Sequence, residues 1–260
     1  MGKHDDKDGS VAGGTDAAAE QPKKKRKKRA LLIVEIICIV VFVICAVLLG
    51  QQIYKYYVAD QDFKEVTQTY QRDIERLKSA NKQCQGWIQV KDTRIDYPVM
   101  YTPKDPEYYL HRNFKGDYSF AGTPFFGENS APNNPTTNSM IIYAHHMRDG
   151  SMFGELEKFN DSSFAKSHKI KYKDRRGSYT YHAVYAFYVD LSSGSYYRYW
   201  DHVGTLDKKQ FEKFAKNVKE RSIYSTGEDL KYGDRVLMLS TCSYGTSEQR
   251  FVVIAVRDEN

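Results

Sequence analysis

The chain has 260 residues, enough for one good-sized domain with appendages. Its 39 Lys+Arg against 33 Asp+Glu give a net charge of +6, but residues 1–29 alone hold nine of the cations and five of the acids. What remains is close to balanced, which argues against a nucleic-acid-binding surface. Four cysteines are too few for a disulfide scaffold, and their spacing does not match a zinc ribbon or a Cys-x-x-Cys site, so no metal and no cofactor is expected.

Residues 1–22 offer almost nothing to bury and are predicted to be disordered. With the run Lys23–Arg29 they form a basic tail, residues 1–29. Ala30–Gly50 follows, 21 residues that are nearly all apolar. At about 1.5 Å of rise per residue such a helix crosses a hydrocarbon core of about 30 Å, so residues 30–50 are predicted to be a transmembrane anchor. A cleaved signal peptide fits less well, because the apolar stretch is too long and no small-residue cleavage site follows it. Seven cations precede the span and only Lys55 lies just beyond it. That asymmetry places the N-terminus in the cytoplasm and the rest of the chain outside.

Residues 51–82 carry Phe63, Val66, Tyr70, Ile74 and Leu77 at gaps of three and four, the stripe of one or two amphipathic helices. From residue 83 to 260 the pattern becomes one of short β-rich runs separated by turn signals. They include Gly86–Val90, Arg94–Tyr101, Ser139–Ala144 and the aromatic run Tyr179–Val189. Many short strands suggest a closed or nearly closed barrel. Two helices interrupt them, Ser151–Phe159 with Ser151 as N-cap, and Leu206–Arg221 with Phe211, Phe214 and Val218 on one face. At the end, Val236–Leu239 and Phe251–Val256 flank the polar segment Ser243–Gln249 as an antiparallel hairpin.

That hairpin sets Cys242, at the end of one strand, beside Arg250, at the start of the next. A neighbouring cation favours the thiolate of a cysteine, and the amides of Ser243 and Tyr244 are candidate oxyanion donors. A cysteine nucleophile needs an acid/base partner. Of seven histidines, His145 and His146 stand out because they close the strand Met140–Ala144. Adjacent residues of an extended chain point to opposite sides, so at most one of the two faces such a site, and a His-His metal pair is disfavoured. His111, His168, His182 and His202 are read as structural or solvated. The order His, Cys, Arg does not match papain-like proteases, in which the cysteine comes first.

Tyr143-Ala-His-His-Met, Leu239-Ser-Thr-Cys and Arg250-Phe-Val-Val-Ile-Ala together resemble the signature of sortases, the membrane-anchored cysteine transpeptidases of Gram-positive bacteria. Gly86-Trp-Ile, Ile95-Asp-Tyr-Pro-Val, Tyr108-Tyr-Leu and Asp149-Gly-Ser-Met-Phe bring the resemblance nearer to class B, over about residues 80–257. The resemblance implies an eight-stranded β-barrel with N-terminal helices and a helix between the sixth and seventh strands. It implies Cys242 as nucleophile, His145 as acid/base and Arg250 as stabilising cation, with Tyr143, Ser240, Thr241, Ser243 and Tyr244 against the substrate. The implied reaction cleaves the C-terminal sorting motif of secreted proteins through a thioester and transfers them to a peptidoglycan amine. A pilin-polymerising sortase and a non-catalytic surface-binding module are the alternatives. Two features depart from the family's pattern: Ala144 stands where Gly is frequent before the histidine, and only seven residues separate Cys242 from Arg250.

Overall fold

A computed structural model describes residues 21–242 and 248–259. The chain divides into two compact units, residues 1–54 and 55–260. The helix α1 (Gln21–Tyr70) carries the apolar stretch, and it is long and apolar enough to cross a membrane. It ends where Gln71 and Arg72 both adopt positive φ, after which Asp73 caps α2 (Ile74–Ala80) by accepting from the amides of Glu75 and Arg76. Val66, Ile74 and Leu77 of the expected stripe are buried together beside Trp87 and Tyr109.

Eight strands follow: β1 (Cys84–Val90), β2 (Asp96–Met100), β3 (Phe125–Phe126), β4 (Ser139–His145), β5 (Lys169–Asp174), β6 (Gly177–Asp190), β7 (Val236–Cys242) and β8 (Gln249–Arg257). They close into a barrel in the order β1-β2-β3-β4-β7-β8-β6-β5, so each strand has a neighbour on both sides. The expected terminal hairpin is the antiparallel pair β7–β8. The partner of β7 on its other side is β4, and that pairing is parallel.

Alternation along these strands builds two cores. Ile142, Ala144, Leu237, Leu239, Val253 and Ala255 fill the barrel interior. Ile141, Met238, Val252 and Ile254, one residue out of phase, point outward and are buried by α4 (Lys208–Arg221) through Phe211, Phe214 and Val218. An Asp207–Gln210 capping box starts α4, and its three apolar residues lie at the helical spacing expected of them. α4 lies between β6 and β7, where the class B resemblance puts a helix.

The expected α-helix from Ser151 to Phe159 is corrected. Ser151 does not cap a helix: its hydroxyl donates to Asp149 Oδ1 at 2.6 Å within a turn, and Met152 takes positive φ. A 3-10 helix, Gly154–Asn160, follows instead, and Phe153, Leu156 and Phe159 are fully buried. A spacing of three stacks side chains on one face of a 3-10 helix, so the same pattern suits the tighter winding. A short α3 (Ser162–Ser167), N-capped by Asp161, then leads into β5.

Candidate active site

The site stands at the end of the β4–β7 ladder. Seven consecutive residues pair in register, from Ser139 with Val236 to His145 with Cys242. In-register residues of neighbouring strands share a face, with backbones about 4.8 Å apart. On the other side of β7 the pairs run from Val236 with Val256 to Ser240 with Val252. The β7–β8 ladder closes there; one residue on, the Thr241 side chain holds the Phe251 amide, and Arg250 is the next residue of β8 toward the rim. His145 of β4 and Arg250 of β8 are therefore on the outward phase shared with Ile141 and Val252, and the Cys242 backbone lies between their strands. Of Cys242 only the backbone belongs to the described residues, and Ser243 and Tyr244 lie outside them.

His145 borders a groove of about 580 Å³. Leu110, His111, Phe125, Tyr143, Tyr199 and Trp200 line it, with Arg250 also contributing. Of the aromatic segment Ser195–Trp200, Tyr199 and Trp200 reach the groove, whereas Tyr197 packs on the outer core beneath α4. Tyr143, expected against the substrate, lines the groove. Ser240 is fully buried and reaches the groove only through Tyr199, its hydroxyl 2.8 Å from the phenol oxygen. Thr241 points inward: its Oγ1 accepts from the Phe251 amide at 3.0 Å and contacts the Phe251 carbonyl at 3.4 Å. That clasp ties β7 to β8 one residue from both Cys242 and Arg250.

The two histidines separate as alternation requires. His145 is 5% exposed and faces the groove. His146 points away toward Glu157, with Nδ1 3.8 Å from the carboxylate. His145 Nε2 lies 2.8 Å from the Leu110 carbonyl, which can only accept, so Nε2 carries the proton and Nδ1 is the basic nitrogen of the neutral ring. Burial pushes the His145 pKa down to about 4, the Leu110 carbonyl opposes that, and positive charge on His111 and Arg250 adds to it. The imidazole is neutral at pH 7. Arg250 is half-buried, and its Nη1 has no hydrogen-bond partner among the described residues. A buried guanidinium N–H left in this way is a donor available to an oxyanion.

The contribution of the 3-10 helix Tyr108–His111 was not anticipated from the sequence. Its Leu110 carbonyl orients His145, and the His111 ring lies 5.2 Å from that of His145. Nothing local marks a backbone carbonyl as an imidazole's partner, and His111 beside Arg112 reads as solvated. Among the described residues, no three His, Cys, Asp or Glu side chains converge as a metal site would require.

Comparison with known proteins agrees with this architecture. Residues 88–258 match the family model of the sortase domain. Sortase B of Listeria monocytogenes is 33% identical over 187 residues, covering 72% of this chain and 73% of the relative. The crystal structure of sortase B from B. anthracis in complex with AAEK1 superposes with a TM-score of 0.70 at 28% identity, over 80% of this chain and all of that one. A Staphylococcus aureus sortase B–substrate complex superposes at 0.65 with 25% identity, over 81% of this chain and 97% of that one. On the family match and on likeness extending over most of its length, the chain belongs to the sortase family of cysteine transpeptidases, in class B.

Proposed function

We propose that this transpeptidase works through a thioester on Cys242, with His145 as acid/base and Arg250 as the stabilising cation. The observation that carries the reading is the in-register pairing of His145 with Cys242 at the end of two parallel strands, beside a groove large enough for an extended peptide. Starting from the neutral imidazole, Nδ1 takes the thiol proton as sulfur attacks the carbonyl of the motif's threonine. The tetrahedral oxyanion is held by Arg250, whose buried Nη1 has no hydrogen-bond partner among the described residues, and by the amides after Cys242. His145 then protonates the leaving amine, and the C–N bond breaks to leave the acyl group on sulfur. In the second half, His145 deprotonates the incoming amine of a peptidoglycan precursor, the amine attacks the thioester, and the thiol is restored. A neutral, buried imidazole suits this cycle, because the negative charge formed beside it at each step offsets the cost of protonating it.

The clients are secreted proteins bearing a C-terminal sorting motif. Tyr143 contacts them directly, Ser240 and Thr241 act on the groove from beneath, and Ser243 and Tyr244 supply amides. Residues 30–50 anchor the enzyme by a single pass, with tail 1–29 in the cytoplasm, helices 51–82 leading outward and catalytic domain 83–260 on the outer surface. Both substrates are membrane-bound, so tethering raises their effective concentration. The test uses the full chain in detergent with sorting-motif peptides and an amine acceptor. Cys242→Ala is expected to abolish cleavage and transfer, and His145→Ala to lose at least about a thousandfold while His146→Ala stays near wild type. Full activity in Cys242→Ala would refute the assignment.

A further inference from the structure

The far mouth of the barrel, where β4 and β7 begin, holds a second concave site. It lies about 16 Å along β4 from His145, counting from Met140. Its cavity of about 240 Å³ is lined by Arg176, Arg235 and Arg257 together with Met140, Tyr179 and Tyr181. Arg235 and Arg257 stand opposite each other on the continued β7–β8 register, and the Arg257 amide donates to the Arg235 carbonyl at 2.9 Å. Like charges directly across an antiparallel pair repel.

The arrangement is nevertheless built to hold all three cations in place. Arg257 lies over the Tyr179 ring, 4.3 Å from its centroid. Arg235 donates to the Thr137 carbonyl. Arg176 donates to the Pro132 carbonyl at 2.6 Å and pairs with Asp174. Rings and carbonyls fix a guanidinium without neutralising it. The acids nearest in sequence are engaged elsewhere: Asp258 with His182 and Lys169, and Asp234 with the Lys231 amide at 2.7 Å. Among the described residues neither Arg235 nor Arg257 has an acidic partner within ion-pair distance. Two positive charges without an ion-pair partner among the described residues therefore share one pocket, and Arg257 also borders a neighbouring cavity lined by Glu228, Asp229, Asp258 and Glu259.

We propose that this mouth is an anion-binding site, taking one phosphate or carboxylate group between Arg235 and Arg257 with Arg176 at its edge. The guanidinium fork matches the paired oxygens of either group, and a bound anion relieves the repulsion across the strands. The volume, about eight waters' worth, admits the group with only a short stem. Such a group arrives either as a free ion or at the end of a longer molecule.

The full chain in dodecylmaltoside micelles, free of lipid phosphate, is titrated calorimetrically at fixed ionic strength with inorganic phosphate, glycerol phosphate and N-acetylglutamate. Saturable one-to-one binding of at least one probe is expected, weakened tenfold or more in Arg235→Gln/Arg257→Gln. Arg175→Gln, which removes an exposed partner of Glu75, is expected to leave it unchanged. Tyr179→Leu keeps the net charge but frees Arg257, and should weaken binding severalfold; it decides the matter if the double variant fails to fold. Phosphate bound without its glycerol ester assigns the free ion, and binding of an esterified or carboxylate probe assigns the end of a longer molecule. No saturable binding of any probe, or affinity unchanged in the double variant and in Tyr179→Leu, overturns the proposal.

Discussion

Two faces of the same three strands behave differently. On β4, β7 and β8 the inward residues Ile142, Leu239 and Val253 are closed in from every side by the barrel. The outward residues Ile141, Met238 and Val252 depend on a cover, and that cover is α4 with the chain around Tyr199. Near Tyr199 the cover gives way to the groove. Beyond that point the outward row continues as Tyr143 and His145, met by the 3-10 helix Tyr108–His111 rather than by α4. The inner face is uniform because a closed barrel leaves it no alternative. The outer face is half core and half site because one helix covers only part of it. The candidate site sits where the cover stops, on strands whose other face is fully packed.

That contrast can be broken from the covering side first. Phe214→Ala should cost about 3–5 kcal/mol of folding stability, the usual penalty for emptying a fully buried aromatic site. If the two faces are as separable as they look, peptide cleavage well below the lowered melting point should stay within about threefold of wild type. A collapse of activity at low temperature would mean that the cover also sets the groove.

The next largest effect is electrostatic. The folded chain protonates His145 only near pH 4, whereas the unfolded chain does so near 6.5. Between those values the unfolded state binds more protons, so stability rises with pH and is lost as pH falls. Protonation of this one ring accounts for up to about 3.5 kcal/mol of that loss, taking about 1.4 kcal/mol per pKa unit. His145→Gln should flatten the corresponding part of the stability profile, measured by denaturant melts at pH 4.5 and 7. An unchanged slope would show that the imidazole is better solvated than its burial indicates. The smallest effect concerns the clasp between β7 and β8. Thr241→Val should cost about 1 kcal/mol from the lost hydrogen bond to the Phe251 amide, and lower turnover about tenfold with little change in KM. A change confined to KM would instead make Thr241 a contact to the peptide.

Much of this was legible in the sequence, and the remainder was hidden for physical reasons. Strands bounded by turn residues, such as β1, β4, β6 and the β7–β8 pair, and the amphipathic α4 announce themselves by period and composition. β5 does not announce itself because its outward positions are all lysine, although Ile170, Tyr172 and Asp174 alternate inward as a half-buried strand requires. β3 has two residues, too few for any period, yet Phe125 lines the groove. Alternation along β4 is enough to send His145 to the groove and His146 away from it. It could not show that His145 would lie beside Cys242, because a parallel pairing between residues far apart in sequence leaves no local trace. Ser240 and Thr241 read as surface contacts by position in a motif, whereas each is turned to a neighbour, Tyr199 and Phe251 respectively.

The parallel pairing of β4 and β7 has a consequence for how such a chain can diverge. His145 and Cys242 are the last residues of their ladder, so the segments that follow them leave from the same rim. Either segment can lengthen or shorten with the ladder untouched, and each doubling of a loop costs only about 0.6 kcal/mol in closure entropy. A one-residue slip within either strand would turn every side chain to the opposite face and separate the pair. Heritable variation is thereby channelled into the loops around the groove, while the register that sets His145 against Cys242 is held constant. Substrate preference can drift in such a protein long after its chemistry has become fixed.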